Sequence, residues 1–364
     1  MLARPPAMGI RPAAGGETVR LPSRILASTV IAAAVVLAGC TDAEPAPRAP
    51  SADELRREIA TYLADDDTMH GVRSVIVVVG DRTLVEEYYG TTAEEYRNVF
   101  SVTTSVLSTL VGIAVDQRLL DLDDPLRDLL PDYADEMSPE VGDTTLQQLL
   151  TMSGGFSDTA TGRPEDLFTE PDWVAACLAS RSRPAGRFSY ADRGAHLVAA
   201  ALARATGRSV LDYAREVLFD PLGVETRPAA GAFAWPADPQ GIEHGWGNLT
   251  LRPRDMAALG SLYLHSGTFD GEQVVSTTWV RDATAMHVPA SAPGDGFGYL
   301  WWVGELDGST AYLAVGLGGQ LVAVLPDRDL VVVVSTDVGR YASVDVSSTT
   351  YLVDSVIAPA VARS

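Results

Sequence analysis

The residue of this chain best placed for covalent chemistry is a serine. Ser101 stands where a polar stretch holding Glu94, Glu95 and Arg97 meets the start of an apolar run, Val102 to Val115. As a helix, that run offers unpaired N–H groups and a positive dipole end at the serine. That setting suits a nucleophile whose attack creates an oxyanion. The same position also suits an N-cap serine, which spends its hydroxyl on closing its own helix. A serine hydroxyl attacks well only after a base takes its proton, and the residue three positions on lies on the same helical face. Here that residue is Thr104.

Other chemistries have less support. No G-x-S-x-G elbow occurs in the chain. The five histidines (His70, His196, His244, His265, His287) form no HExxH motif and no close cluster with cysteine, so no metal site is expected. His196, in an Ala/Leu-rich segment, reads as a packed, hydrogen-bonded histidine rather than a base. His244, in Glu243-His244-Gly245-Trp246-Gly247, is a candidate to line a cleft. Cys177 reads as a small buried hydrophobe. Of Trp301 and Trp302, adjacent on an expected strand, one should face the core and the other a cleft.

Composition limits the mechanisms further. All 27 basic residues are Arg; the 364-residue chain has no Lys. A Schiff base, a P-loop lysine and a lysine general base are therefore excluded. Asn occurs only at Asn98 and Asn248. The net charge of −21 repels phosphate backbones, so nucleic acid is not an expected partner. Two cysteines, Cys40 and Cys177, make no disulfide framework. The 46% hydrophobic and 21% charged residues describe a folded protein.

The first forty residues read as an address. Arg4, Arg11, Arg20 and Arg24 precede an apolar run over 25–38, which has the length of a signal-peptide core. It ends in Leu37-Ala38-Gly39-Cys40, which resembles a bacterial lipobox, whose cysteine carries the lipid. The expectation is a lipoprotein signal peptide over 1–39, a flexible tether over 40–50 and a folded part over 51–362. Cys40 would anchor that part to the extracytoplasmic face of the cell membrane.

The folded part must position Ser101. A helix is expected over 51–63, a hairpin over 74–79 and 83–89, and a buried helix over 101–118. Helical segments fill most of 120–285. Arg252 and Arg254 mark a helix start and are assigned no chemistry. Strands return at 299–303, 311–315, 321–325 and 330–335, and a helix closes the chain over 343–356. The class is α/β of the α+β type: one antiparallel sheet built from both chain ends and flanked by helices, with an inserted, mainly helical lobe. The sheet lobe is expected over about 51–100 and 295–362, and the helical lobe over about 101–294.

Several segments carry a resemblance. Phe100-Ser101-Val102-Thr103-Thr104-Ser105, Thr109 to Ala114, Asp121 to Pro125, Leu149 to Gly155, Tyr190-Ala191-Asp192, Phe219 to Gly223 and Gly316-Leu317-Gly318-Gly319-Gln320 together resemble the serine β-lactamase and penicillin-binding protein superfamily, in its class C and esterase branch. That family works with Ser-x-x-Lys, Tyr-x-Asn and a late Lys/His-x-Gly strand. The resemblance implies that Ser101 is the acylated serine and Tyr190 its proton shuttle. It also implies an oxyanion hole from the N–H groups of Ser101 and, nearby, Gln320, beside Gly318 and Gly319. No cofactor is implied.

Three positions depart from the pattern. Thr104 replaces the lysine, Asp192 the asparagine, and Leu317 occupies the late basic position. A unit charge about 4 Å away, at an effective dielectric near 20, shifts a pKa by roughly 3 units. Losing the lysine forfeits that help to Tyr190, and an ionised Asp192 pushes the other way. Arg187 or Arg193 could add charge, but an arginine cannot accept the proton. The resemblance therefore implies a surface lipoprotein with impaired acylation that binds a small molecule, a peptide or a cell-wall fragment. Two readings stand beside it. One is an active esterase, amidase or D-amino-acid peptidase that uses Ser101 and Tyr190 without lysine. The other is a purely structural lipoprotein.

Overall fold

The runs 74–79 and 330–335 are apolar without alternation because their strands are buried on both faces. The computed structural model describes residues 51–157, 164–228, 232–291, 293–338 and 344–361. The expected signal segment 1–39, the tether and Cys40 lie outside the described residues. The described residues all fall in one compact unit.

Strands β1 (Val72–Val79) and β2 (Arg82–Tyr88) make the hairpin. Two short pairs follow: β3 (Arg97–Asn98) with β4 (Thr250–Leu251), and β5 (Thr268–Phe269) with β6 (Glu272–Gln273). The later strands are β7 (Val288–Pro289), β8 (Gly296–Phe297), β9 (Trp302–Leu306), β10 (Ser309–Gly316), β11 (Gln320–Leu325) and β12 (Leu330–Thr336). Eight of them form one sheet in the order β2-β1-β12-β11-β10-β9-β8-β7, antiparallel throughout. Both chain ends meet in it, where β1 lies between β2 and β12: Val75 pairs with Val334 and Val77 with Val332.

Successive strand side chains point to opposite faces. Val75, Val77, Val332 and Val334 join Leu55 and Ile59 of α1 (Ala52–Asp65) in one core. Ile76, Val78, Val331 and Val333 join the helical lobe in the other. Ser51 and Glu54 close the start of α1 with a capping box. The lobe's central helix, α2 (Val102–Asp116), is buried at every residue from Val102 to Ala114. Of the elements α3 (Trp173–Leu178), α4 (Asp192–Thr206) and α5 (Pro253–Leu264), α4 packs on α2, α3 on α4, and α5 on the sheet. Gly260 lets α5 lie close on the sheet, because a Cβ there would come within 2.5 Å of Val331. The chain closes with α6 (Val346–Leu352), which runs on through a π-type turn, Val353–Ile357.

The structure corrects two boundaries. The expected strand 299–303 starts only at Trp302. Leu300 has φ 59°, and its N–H bonds Leu150 O while that of Tyr299 bonds Ala283 O. Those backbone groups serve the helical lobe and not the ladder. The sheet also reaches back to β7, before the expected start at 295.

Candidate active site

Ser101 is set by a strained turn. Asn98 pairs with Thr250 in the β3–β4 ladder, and the Val99 N–H donates to Leu249 O at 2.9 Å. Phe100 then adopts φ 48°, uncommon for a residue with a side chain and costly by about 1–3 kcal/mol. Its N–H donates to Asn98 Oδ1 at 2.8 Å. Ser101 enters α2 in helical geometry, and its side chain makes no cap hydrogen bond. The capping role open to it from sequence is therefore not the one it plays.

Thr104 lies beneath it, 3% exposed, and its hydroxyl donates to Ser101 O at 2.9 Å. This back-bond, common for threonine in helices, consumes the donor. Thr104 is thus part of the helix backbone network and carries no nitrogen with which to act as a base.

Tyr190 precedes α4 on a loop tied to the 149–155 segment, with Ser189 N–H donating to Met152 O at 2.8 Å. Its ring lies parallel to that of Trp302, with centroids 6.0 Å apart and 6° between planes, and meets Phe297 edge-on at 6.3 Å. Phe188 packs on both partners. Asp192 occupies the first turn of α4, half-buried, where the helix dipole favours a carboxylate.

Ser101, Tyr190, Trp302, Leu317, Asp345 and Val346 line an open cleft of about 650 Å³. Trp301, by contrast, is fully buried against Tyr263. The two tryptophans thus divide between core and cleft. Gly316 brings the end of β10 against the serine turn: a Cβ there would stand 2.3 Å from Val99 O. Of the late segment, only Gly316 and Leu317 reach the cleft lining, and Leu317 is 60% exposed. Gln320 turns its side chain into the sheet instead. Its Nε2 donates to Thr336 O at 3.0 Å and to Thr336 Oγ1 at 2.7 Å, and its Oε1 accepts from Thr336 N–H. Gly318 and Gly319, with φ 77° and 87°, form the turn beneath Val338 and Val344.

Among the described residues lining the cleft, Asp345 is the one carboxylate, and no arginine or histidine occurs. Arg193 is buried and donates from Nη1 to Ala176 O on α3, and Arg187 is exposed. A cavity of similar size between β1–β2 and α5 is lined by Arg254, paired with Glu86 at 3.0 Å, and by His265, whose Nε2 lies 3.2 Å from Asp81 Oδ1.

His244, a candidate from sequence to line a cleft, is not among the residues lining this one. It is buried, stacked on Trp246 with 8° between planes and 4.9 Å from the Trp173 ring centroid. Burial, then the neighbouring His196, pushes its pKa down to about 4, against an opposing pull from Asp238. His196 is the packed histidine expected, with Nε2 2.9 Å from Asp238 Oδ2 and both side chains fully buried. Cys177 is free and buried. Arg252 bonds Asp255 at the start of α5. No group of three or more potential metal ligands occurs among the described residues, and none of their helices is long and apolar enough to cross a membrane.

The family model "Beta-lactamase" matches residues 56–352. The chain belongs to the β-lactamase family. Its solved neighbours include penicillin-binding protein homologues and esterases. The octameric penicillin-binding protein homologue from Pyrococcus abyssi superposes with a TM-score of 0.65 at 17% identity, covering 84% of this chain and 77% of that one. A family VIII carboxylesterase superposes at 0.62 and 18% identity, covering 79% and 92%. At those identities the likeness speaks for the fold alone. In sequence, the 6-aminohexanoate-dimer hydrolase of Paenarthrobacter ureafaciens is 23% identical over 290 residues, 71% of this chain and 70% of that protein. The chain is thus a β-lactamase-like member of the serine hydrolases in family and fold.

Sequence reasoning quoted Gly316 in a motif without giving it a role, missed Asp345, and left Asn98 and Asn248 as a compositional remark. The glycine offered a signal in its place at a strand end. Asp345 offered none, since only the fold carries α6 to the cleft.

Proposed function

We propose that this β-lactamase-family protein binds a small molecule, or a peptide or cell-wall fragment, in the Ser101 cleft, and that acylation of Ser101 by the family's lysine route is impaired. One observation carries the reading: the residue one turn after Ser101 is a buried threonine whose hydroxyl is spent on the Ser101 carbonyl. The chain has no Lys to replace it. Loss of a general base costs about 10² to 10⁴ in rate. The open cleft and its parallel Tyr190–Trp302 pair favour a ligand-binding role over a purely structural one. Attachment to the extracytoplasmic face through lipid on Cys40 belongs to the same proposal.

The test is intact-mass measurement after incubation with a fluorophosphonate and with a labelled penicillin. The expected result is slow, substoichiometric adduct. Rapid stoichiometric adduct, lost in Ser101→Ala, would favour the active, lysine-independent hydrolase, since the Ser101 hydroxyl makes no cap bond and opens on the cleft. Anchoring is tested by fractionation: Cys40→Ala should move the protein from membranes to the soluble fraction. Unchanged partition would refute lipidation there.

A further inference from the structure

The two asparagines of the chain bond each other. Asn98 Nδ2 donates to Asn248 Oδ1 at 3.0 Å. Asn98 Oδ1 accepts the Phe100 N–H at 2.8 Å, and Asn248 Nδ2 lies 2.8 Å from Nδ1 of His244. We propose that His244, Asn248 and Asn98 form a positioning relay that holds the Phe100–Ser101 turn in its strained geometry only while Nδ1 of His244 is unprotonated. The consequence for chemistry rests on the reading of Ser101 as the reacting hydroxyl; the relay itself does not.

The polarity of the chain of bonds is forced by its ends. At one end a backbone N–H can only donate. At the other, the imidazole must accept, so its proton resides on Nε2. Each amide between them has one orientation that satisfies both neighbours. If Nδ1 gains a proton, flipping Asn248 restores that contact and breaks the one with Asn98. Flipping Asn98 as well sets its NH₂ against the Phe100 N–H. Flips move the donor–donor contact along the relay but cannot remove it.

The parts are held rigidly. The His244 ring is clamped between Trp246 and Trp173. Gly245 presses on α4, where a Cβ would stand 2.3 Å from Ala195 O. Gly247 lies against Phe100, whose backbone would be 3.7 Å from a Cβ there. Asn248 has φ 65°, a conformation asparagine tolerates better than most residues.

The titratable groups around His244 are few. His196 on α4 disfavours its protonation, and Asp238 favours it. The Glu243 carboxylate accepts from Val210 N–H. Asp172, capping α3, accepts from Ala175 N–H and from the Tyr133 hydroxyl. The remaining neighbours are the rings of Trp173, Trp246 and Phe168.

The test is spectroscopic and needs no turnover. Selective ¹⁵N-phenylalanine labelling of the full chain gives eight backbone amides. Phe100 is assigned by its loss in Phe100→Leu, and the Ser101 amide, in uniformly labelled protein, by its loss in Ser101→Ala. The Phe100 amide should shift upfield in the proton dimension with the same midpoint as the His244 ring nitrogens, and the Ser101 amide should move with it. At pH 7, His244→Gln supplies an acceptor oxygen and should keep the Phe100 shift of the unsubstituted chain. His244→Leu should take the acid-form shift at pH 7. A Phe100 amide that stays still while His244 titrates, or equal shifts in the Gln and Leu variants, would overturn the relay. The titration requires no His244 variant to fold, only the two assignment variants, and the pH 7 comparison requires no acid. Neither depends on whether Ser101 reacts, so the relay and the proposed function can fail separately.

Discussion

Restoring the family's base is the sharpest test of why Ser101 should be slow. The double variant Thr104→Lys with Asp192→Asn puts an amine one turn below the serine and removes a carboxylate near Tyr190. Thr104 is 3% exposed and its hydroxyl bonds Ser101 O at 2.9 Å. Replacement gives up that bond, worth about 1 kcal/mol, and overpacks a buried site at about 1–3 kcal/mol. A loss of roughly 2–4 kcal/mol is within the stability of an ordinary domain. Against it, a general base returns about 10² to 10⁴ in rate, or roughly 3–5 kcal/mol of barrier. The assay is hydrolysis of a p-nitrophenyl ester at 20 °C, with Ser101→Ala built into the double variant as a control and urea denaturation to establish folding. A Ser101-dependent gain of about 100-fold or more is expected. A folded double variant without gain would refute the lysine as the limiting loss.

Three further outcomes follow from the packing. His244 has its folded pKa lowered to about 4 from an ordinary value near 6.5, so the unfolded chain takes up the proton first on acidification. The stability this contributes is complete above pH 6.5 and is lost as pH falls through 4, about 3 kcal/mol in all; the urea midpoint of His244→Gln should fall correspondingly less between pH 7 and 4. Gly316→Ala sets a Cβ 2.3 Å from Val99 O and should cost about 1–3 kcal/mol by denaturant titration. Gly194→Ala, within α4 and with no atom closer than 3.9 Å, should instead stabilise by about 0.5–1 kcal/mol in the same measurement.

Much of the frame was legible from residues. The apolar runs of β1 and β12 announced strands, and the apolar circumference of α2 announced a buried helix. What was hidden depends on long-range placement. Leu300 sits in a run of strand formers, yet its N–H is claimed by Leu150, so propensity lost to a tertiary bond. His244 sits among glycines and a tryptophan, a context that reads as a loop at a cleft. The structure uses the same glycines to press the segment onto α4. Gln320 could be placed near the oxyanion position from its motif, but its side chain serves Thr336. At the candidate site, Ser101, Thr104 and Tyr190 were readable by spacing and resemblance, whereas Trp302 came as one of two choices and Asp345 not at all.

The meeting of both chain ends in one sheet also has a temporal meaning. Because Val75 pairs with Val334, β1 and β12 cannot close on each other until almost all of the chain is available, and the entropy of that closure precedes its contacts. Until then β1, paired with β2 alone, carries two apolar faces and one unpaired edge, a state prone to sticking. The cleft is walled by Leu317 after β10 on one side and by Val346 of α6 on another. No partly made chain can display it: the pocket comes into being together with the last strand and helix, and a shortened product would have none.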